Sequence, residues 1–238
     1  MGYESPMPVQ EEVIPFLLGD DNDVIALAQT GTGKTAAFGL PILQKIDVTT
    51  YHPQALVLCP TRELCLQIAD DLNDYSKYID NLKVLPVYGG SSIESQIKTL
   101  KRGVHVVVAT PGRLLDLMNR KTVDLSLVKN VIMDEADEML NMGFTDSINA
   151  ILAEVPENRN MLLFSATMPK EIANITKKYM KNPKEIVIGN KNEGNKNIRD
   201  IYYMVQARDK YLALKRIADF YPCLLYTSPS PRDLSTSR

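Results

Sequence analysis

The 238-residue chain has no tryptophan, only three cysteines and two histidines, and no surplus of positive charge. Cys59, Cys65 and Cys223 cannot build a disulfide framework, and the Cys59/Cys65 spacing suits neither a zinc knuckle nor a redox pair. They read as small apolar residues. With 27 Lys and Arg against 29 Asp and Glu, the net charge is −2. Any nucleic-acid contact must then come from a local patch or from backbone groups, not from a globally basic surface. No segment approaches the ~18 consecutive apolar residues of a membrane span. No basic stretch followed by an apolar one opens the chain, so a cytoplasmic, soluble protein with no membrane partner is expected. A 45% hydrophobic and 24% charged composition excludes wholesale disorder and suffices for one large core, or for a domain plus part of another.

What is present begins with Val24 to Thr35, Val-Ile-Ala-Leu-Ala-Gln-Thr-Gly-Thr-Gly-Lys-Thr. The apolar run Val24 to Ala28 has the length and branching of a buried strand. The Gly31-Thr32-Gly33 turn then leads into helix-forming residues from Lys34 onward. A loop of this kind, including Gln29 and Thr30, points successive backbone N–H groups at one spot beside a helix N-terminus. Lys34 can reach β and γ phosphates and Thr35 can ligate Mg²⁺, which makes the segment a nucleoside triphosphate site. The generic pattern asks for glycine where this chain has Ala28. The plain alternative is a glycine-rich turn that binds nothing.

Further short apolar runs follow at Ala55 to Cys59, Leu82 to Tyr88, Val104 to Ala109, Asn130 to Asp134, Met161 to Phe164 and Glu185 to Ile188. Helix-sized segments separate them. This alternation predicts an α/β fold with a mostly parallel sheet covered by helices on both faces. Ligands gather at the carboxyl ends of such strands, where each polar cluster of this chain falls. Ahead of the first strand, Pro8 suits the first position of a helix, with Thr61 a plausible N-cap for a later one reaching about Tyr78. Gln10 is expected to face outward at the start of the first helix. There its amide could read an adenine edge or be an ordinary surface group.

Asp134 and Glu135 end an apolar strand. That places Asp134 to hold Mg²⁺ through its water shell, and Glu135 to orient or deprotonate the water attacking a γ-phosphate. An acidic helix start favoured by the dipole is the simpler alternative. Gly89-Gly90 allows close backbone approach to a phosphate, Thr61 and Thr110 can donate to phosphate oxygens, and Arg62 and Arg113 supply charge; none of these reads a base. Taken singly, either arginine could equally be a solvated helix residue.

The order of these motifs resembles the DEAD-box ATP-dependent RNA helicases from Gly2 to about Tyr221. The resemblance rests on Gln10 in a Gly-Tyr-x-x-Pro-x-x-x-Gln context, Ala28 to Thr35, Pro60 to Leu64, Gly89-Gly90, Thr110 to Arg113, Asp134 to Asp137 and Ser165 to Thr167. It implies a RecA-like fold in which Gln10 recognises adenine, with Tyr3 beside it, and Lys34, Thr35, Asp134 and Glu135 serve ATP and Mg²⁺. In this family the loop begins with alanine, so Ala28 ceases to be a departure. Pro60, Thr61, Arg62, Gly89, Gly90, Thr110, Pro111, Gly112 and Arg113 would contact the sugar-phosphate backbone of RNA, independently of sequence. Asp137, Ser165, Ala166 and Thr167 would couple the two sites. Cys65 stands where the family usually shows alanine.

The resemblance divides the chain into a first RecA-like domain at 1–189, a linker at 190–200 and the beginning of a second RecA-like domain at 201–222. In the last part Ile201 to Val205 reads as a strand, followed by a helical stripe of Tyr211, Leu214, Ala218 and Tyr221. Residues 223–238 continue no periodicity and resemble translated adapter sequence, with a genuine flexible tail as the alternative. The second domain is expected to supply arginine fingers, worth roughly 10³ to 10⁵ in rate, so the first domain alone, expected as a monomer, should hydrolyse ATP barely. Two other functions stay open: a stand-alone ATP-dependent RNA-binding module that unwinds nothing, and a RecA-like ATPase acting on DNA or protein.

Overall fold

The computed structural model describes residues 4–19, 23–188 and 201–220. Two compact units divide the chain, Met1–Gly194 and Asn195–Arg238. In the first unit, seven strands run β1 Val24–Leu27, β2 Ala55–Leu58, β3 Val84–Val87, β4 Val106–Ala109, β5 Asn130–Met133, β6 Asn160–Ser165 and β7 Lys184–Val187. They form one sheet in the order β3-β4-β2-β5-β6-β1-β7, and every pairing is parallel. The helices are α1 Pro8–Leu18, α2 Lys34–Lys45, α3 Arg62–Tyr75, α4 Ile93–Lys101, α5 Pro111–Asn119, α6 Ala136–Asn141, α7 Thr145–Glu154 and α8 Lys170–Tyr179.

The inner strands are buried along almost their whole length because helices cover both faces, which is why they read as largely apolar runs. Alternate residues feed two separate cores. Ile25, Leu27, Leu56 and Leu58 pack on one face, and Val24, Ala26, Ala55 and Val57 on the other. With no tryptophan to fill space, Phe38 of α2 meets Phe164 of β6 with ring centroids 5.3 Å apart at 52°, a tilted contact that fixes α2 against the sheet. Cys59 and Cys65 are buried free thiols within the second core. The sheet edges differ in chemistry. Pro86 sits in β3, which pairs only with β4 and so loses no ladder bond on its open side. β7 carries Lys184 and Glu185 and buries only Ile186, a charged edge that discourages further pairing.

Helix α3 starts as expected: Thr61 is its N-cap, and its hydroxyl accepts from the Leu64 N–H at 3.2 Å. It ends at Tyr75, short of Tyr78.

In the second unit, a single 3₁₀ turn at Ala207–Asp209 precedes α9, Lys210–Phe220. The strand expected over Ile201 to Val205 does not form, and Tyr202 and Met204 are 85% and 92% exposed. Its apolar run finds no ladder partner, since no other strand occurs among the described residues of this unit. α9 bears out the helical stripe, but Tyr211 and Leu214 remain exposed. The expected linker, Tyr3, Tyr221, Cys223 and the whole of 223–238 lie outside the described residues. Among those described, no helix is long and apolar enough to cross a membrane.

Candidate functional site

The motif residues converge on the carboxyl ends of the strands in two neighbouring groups. The first surrounds the loop between β1 and α2. Gly33, the N-cap of α2, has φ +83°, and a Cβ there would lie 2.4 Å from Gln10 Nε2, so only glycine fits both the backbone and the neighbour. The Thr32 hydroxyl closes the loop by donating to the Gln29 carbonyl at 2.8 Å, while Thr30 and Gly31 are exposed and Thr35 half-buried.

Gln10 does not face outward. It is 6% exposed, accepts from the Met7 N–H through Oε1 at 3.0 Å, and donates from Nε2 to the Gly33 carbonyl at 3.1 Å. The helix start needed a cap for its orphan N–H, and the glycine loop offered a carbonyl, so the amide turned inward.

Lys34 is 7% exposed, yet its ammonium has loose company. It donates to the Ala28 carbonyl at 3.3 Å and lies 3.9 Å from Asp134 Oδ1, a distance for charge attraction without a hydrogen bond. Asp134 follows β5, two strands from β1 in the sheet, and its N–H donates to the Leu58 carbonyl at 2.9 Å. Burial pushes its carboxyl up to about 6; Lys34 pulls it down, while Glu135 and Asp137 add repulsion. A buried carboxylate with so little compensation and an ammonium with unspent donors fit a ligand carrying both phosphate and a divalent cation. No group of three His, Cys, Asp or Glu among the described residues is arranged to hold a metal alone. An ion here would therefore take most of its ligands from phosphate and water, as Mg²⁺ does.

Glu135 is half-buried and adopts a left-handed backbone, φ +50° and ψ +50°, with its N–H donating to Asp134 Oδ1 at 3.0 Å. This region is sparsely populated by residues other than glycine and marks a backbone held by its surroundings. Next, Asp137 Oδ2 accepts from both the Thr167 N–H at 2.9 Å and the Thr167 hydroxyl at 2.7 Å. Its own N–H donates to Ser165 Oγ at 3.3 Å, and the Ser165 hydroxyl donates to the Thr167 carbonyl at 2.8 Å. Burial works to raise Asp137, but its bonds with Thr167 and Ser165 prevail and hold it below the usual carboxylate range. The Ser165 carbonyl also accepts from the Ala28 N–H at 3.0 Å, tying this network to the start of the glycine loop. Ala166 and Thr167 are themselves exposed.

The second group lies at the ends of β2, β3 and β4. Pro60 and Pro111 are buried, Thr61 is half-buried, Thr110 is 9% exposed, and Arg62, Gly89, Gly90 and Gly112 are open to solvent. The Arg62 guanidinium sits 5.0 Å above the centre of the Tyr88 ring. Gly90, at φ +81°, turns the chain back beside Arg62. Arg113 is not a solvated helix residue: its Nη1 donates to the Ser91 carbonyl at 3.2 Å and to Gln96 Oε1 at 3.1 Å. Gln96 and Tyr88 belong to this site and carry no motif. A glutamine within an amphipathic helix gives no sequence signal of being 6% exposed.

A phosphate-cradling loop on one strand, an acid two strands away and an all-parallel sheet between helices define a P-loop nucleotide-binding domain of the RecA-like kind. The fold matches the crystal structure of a DEAD box protein from the hyperthermophile Methanococcus jannaschii, with TM-score 0.75, 43% identity and coverage of 91% of this chain and 58% of that one. It also matches a hypothetical ATP-dependent RNA helicase from Sulfolobus tokodaii, with TM-score 0.72, 44% identity and coverage of 79% and 54%. The DEAD/DEAH box helicase family model matches residues 7–175, and the chain belongs to that family. Among curated relatives, the ATP-dependent RNA helicase DeaD of Mycobacterium tuberculosis is 50% identical over 93% of this chain, and the DEAD-box ATP-dependent RNA helicase CshA of Bacillus cereus 48% over 92%. The chain spans 39% and 41% of the lengths of these two relatives.

Proposed function

We propose that this chain is the ATP-binding part of an ATP-dependent RNA helicase that couples ATP binding and hydrolysis to local duplex separation through sequence-independent backbone contacts. The observation that carries this reading is the single edge on which Lys34 lies 3.9 Å from Asp134 and Asp137 is bonded to Thr167, with an open glycine turn flanked by arginines three strands from Asp134. Residues 1–189 act as the first RecA-like domain, 190–200 as a linker and 201–222 as the beginning of a second; 223–238 are a non-native tail. The working protein is a cytoplasmic monomer.

In this reading Gln10 meets adenine with the amide N–H and carbonyl lone pair that Met7 and Gly33 leave unspent. Because the same side chain rests on the Gly33 carbonyl, filling the adenine position also steadies the loop. The backbone of Gln29 to Gly33 and the Lys34 ammonium receive the phosphates, for which Lys34 leaves its long contact with Ala28. Thr35 and Asp134 would hold Mg²⁺, which when bound neutralises charge on the phosphate oxygens. Glu135, presented by its left-handed backbone, orients the attacking water and takes its proton. Asp137, Ser165, Ala166 and Thr167 carry the state of this site toward the nucleic-acid side. There Pro60, Thr61, Arg62, Gly89, Gly90, Thr110, Pro111, Gly112 and Arg113 face one RNA strand along its phosphates. Backbone groups, hydroxyls, an Arg62 guanidinium held over the Tyr88 ring and an Arg113 spent on Ser91 and Gln96 make up this group, which supports binding without sequence preference.

The test uses the complete gene product. ATP hydrolysis should rise with single-stranded RNA of any sequence but not with DNA, and a short RNA duplex should separate only when ATP is present. RNA binding and hydrolysis without duplex separation would favour a regulatory RNA-binding module instead. Equal stimulation by DNA would overturn the RNA reading.

A further inference from the structure

Between the Gly89-Gly90 turn and the Thr110-to-Arg113 loop lies a buried amide that belongs to no recognised motif. Gln96, on α4, donates from Nε2 to the Tyr88 carbonyl at 3.1 Å and to the Ser91 hydroxyl at 2.7 Å. Its Oε1 accepts from Arg113 Nη1 at 3.1 Å, and the same nitrogen donates to the Ser91 carbonyl at 3.2 Å. One side chain therefore ties together three segments: the end of β3 with its turn, α4, and the first turn of α5. A neutral side chain of this length that both donates twice and accepts is glutamine alone.

We infer that Gln96 is a positioning residue for RNA: it holds the Gly89-Gly90 turn and the Arg113 guanidinium in one preset arrangement, without touching the RNA itself. The inference rests on the RNA-backbone reading proposed above. Three observations carry it. The turn consists of glycines, Gly90 being at φ +81°, and besides Gln96 it is braced, among the described residues, only by the Ser91 hydroxyl, which donates to the Tyr88 carbonyl at 3.3 Å and is itself held by Gln96. The carbonyl that Gln96 grips is that of Tyr88, whose ring supports the Arg62 guanidinium at 5.0 Å, so the hold on Tyr88 extends to the second arginine. Finally, Gln96 is 6% exposed and its donors are spent inside the protein, which suits it to shaping the surface rather than meeting a ligand. A phosphate-binding surface made of backbone and long side chains loses affinity when it must be ordered at the moment of binding. Gln96 orders it beforehand.

The experiment is an RNA titration of ATP hydrolysis by the complete gene product, comparing wild type with Gln96→Met and Gln96→Glu. Methionine keeps the length and removes all three bonds. Gln96→Met should raise the half-saturating RNA concentration about tenfold, since it leaves the Tyr88 carbonyl held by the Ser91 hydroxyl alone and Arg113 by the Ser91 carbonyl alone. Its kcat at saturating RNA and its KM for ATP should stay within about twofold of wild type. Glutamate can still accept from Arg113 and from the Ser91 hydroxyl, so Gln96→Glu should recover part of the loss. Unchanged half-saturation in Gln96→Met would overturn the inference. So would a glutamate variant no better than methionine, or a methionine variant whose ATP KM and melting temperature fall off together with its RNA response. Absence of RNA stimulation in the wild type would instead refute the RNA reading on which it rests.

Discussion

The two ends of the edge proposed to meet phosphates are built by opposite means. Around β1, β5 and β6 the chain buries its charges: Lys34 and Asp134 are 7% and 3% exposed, and Asp134 is pushed up to about 6. Around β2, β3 and β4 it leaves Arg62 outside, spends a half-buried Arg113 on Ser91 and Gln96, and buries the neutral Gln96 amide. The buried end stores electrostatic tension that a nucleotide and its cation relieve, which suits a site that must respond to a chemical change. The open end is a preset surface with little charge at stake, which suits a site that must accept any sequence. The Asp137–Thr167–Ser165 network, linked to Ala28, stands next to the tense end rather than between two equal partners.

The largest expected effect breaks the comparison at the tense end. In the complete gene product Glu135→Gln should cost about 10² to 10⁴ in kcat while leaving the KM for ATP nearly unchanged. Lys34→Ala should instead abolish ATP binding, and equal loss of affinity in both variants would contradict the division of roles.

Next in size is the burial of Asp134 itself. Its folded pKa lies above that of an unfolded aspartate, so the folded state binds the extra proton between about pH 4 and 6, and stability falls as pH rises through that window. Above about pH 6 the full penalty, on the order of 3 kcal/mol, is present. Asp134→Asn should then raise the melting temperature at pH 7 and flatten its pH dependence between 4 and 6. An unchanged profile would mean that the carboxyl is not under tension.

Asp137 has the opposite sign. Its depressed pKa contributes stability above the unfolded value that is lost as pH falls through the folded one. Thr167→Val, which removes the 2.7 Å bond, should cost about 0.5–1 kcal/mol at pH 7, discounted for solvent at this half-exposed group, and nothing once Asp137 is protonated. Thermal melts at pH 7 and at low pH measure both values.

The smallest effect sharpens the open end. Arg62→Ala should weaken RNA binding only a few-fold, and equally for all sequences, while lowering the salt dependence of binding by about one counterion.

The placement of the glycine loop and of Asp134 was legible because their geometry is local: a strand, a turn of glycines and a helix start follow one another in the chain, and Asp134 ends an apolar run. The parallel sheet was legible because strands covered on both faces leave largely apolar stretches. What escaped depends on partners distant in sequence. Gln10 turned inward because Met7 needed a cap and Gly33, 23 residues away, offered a carbonyl. Arg113 proved to be spent on Ser91 and on Gln96, 17 residues distant, and the amphipathic pattern of α4 hid that glutamine completely. The strand expected over Ile201 to Val205 had an apolar, β-favouring run but no neighbouring strand among the described residues of its unit. Glu135's left-handed backbone has no sequence signature at all, since the residue is not glycine.

The central claim is that hydrolysis is set at the tense end and RNA engagement at the open one. It is tested most directly by one RNA titration of ATP hydrolysis, run on wild type, Glu135→Gln and Arg62→Ala forms of the complete gene product. The account predicts that Glu135→Gln lowers kcat without shifting the half-saturating RNA concentration, and that Arg62→Ala shifts the half-saturation and spares kcat. If both variants moved both parameters together, the edge would be a single site and the division drawn here would be wrong.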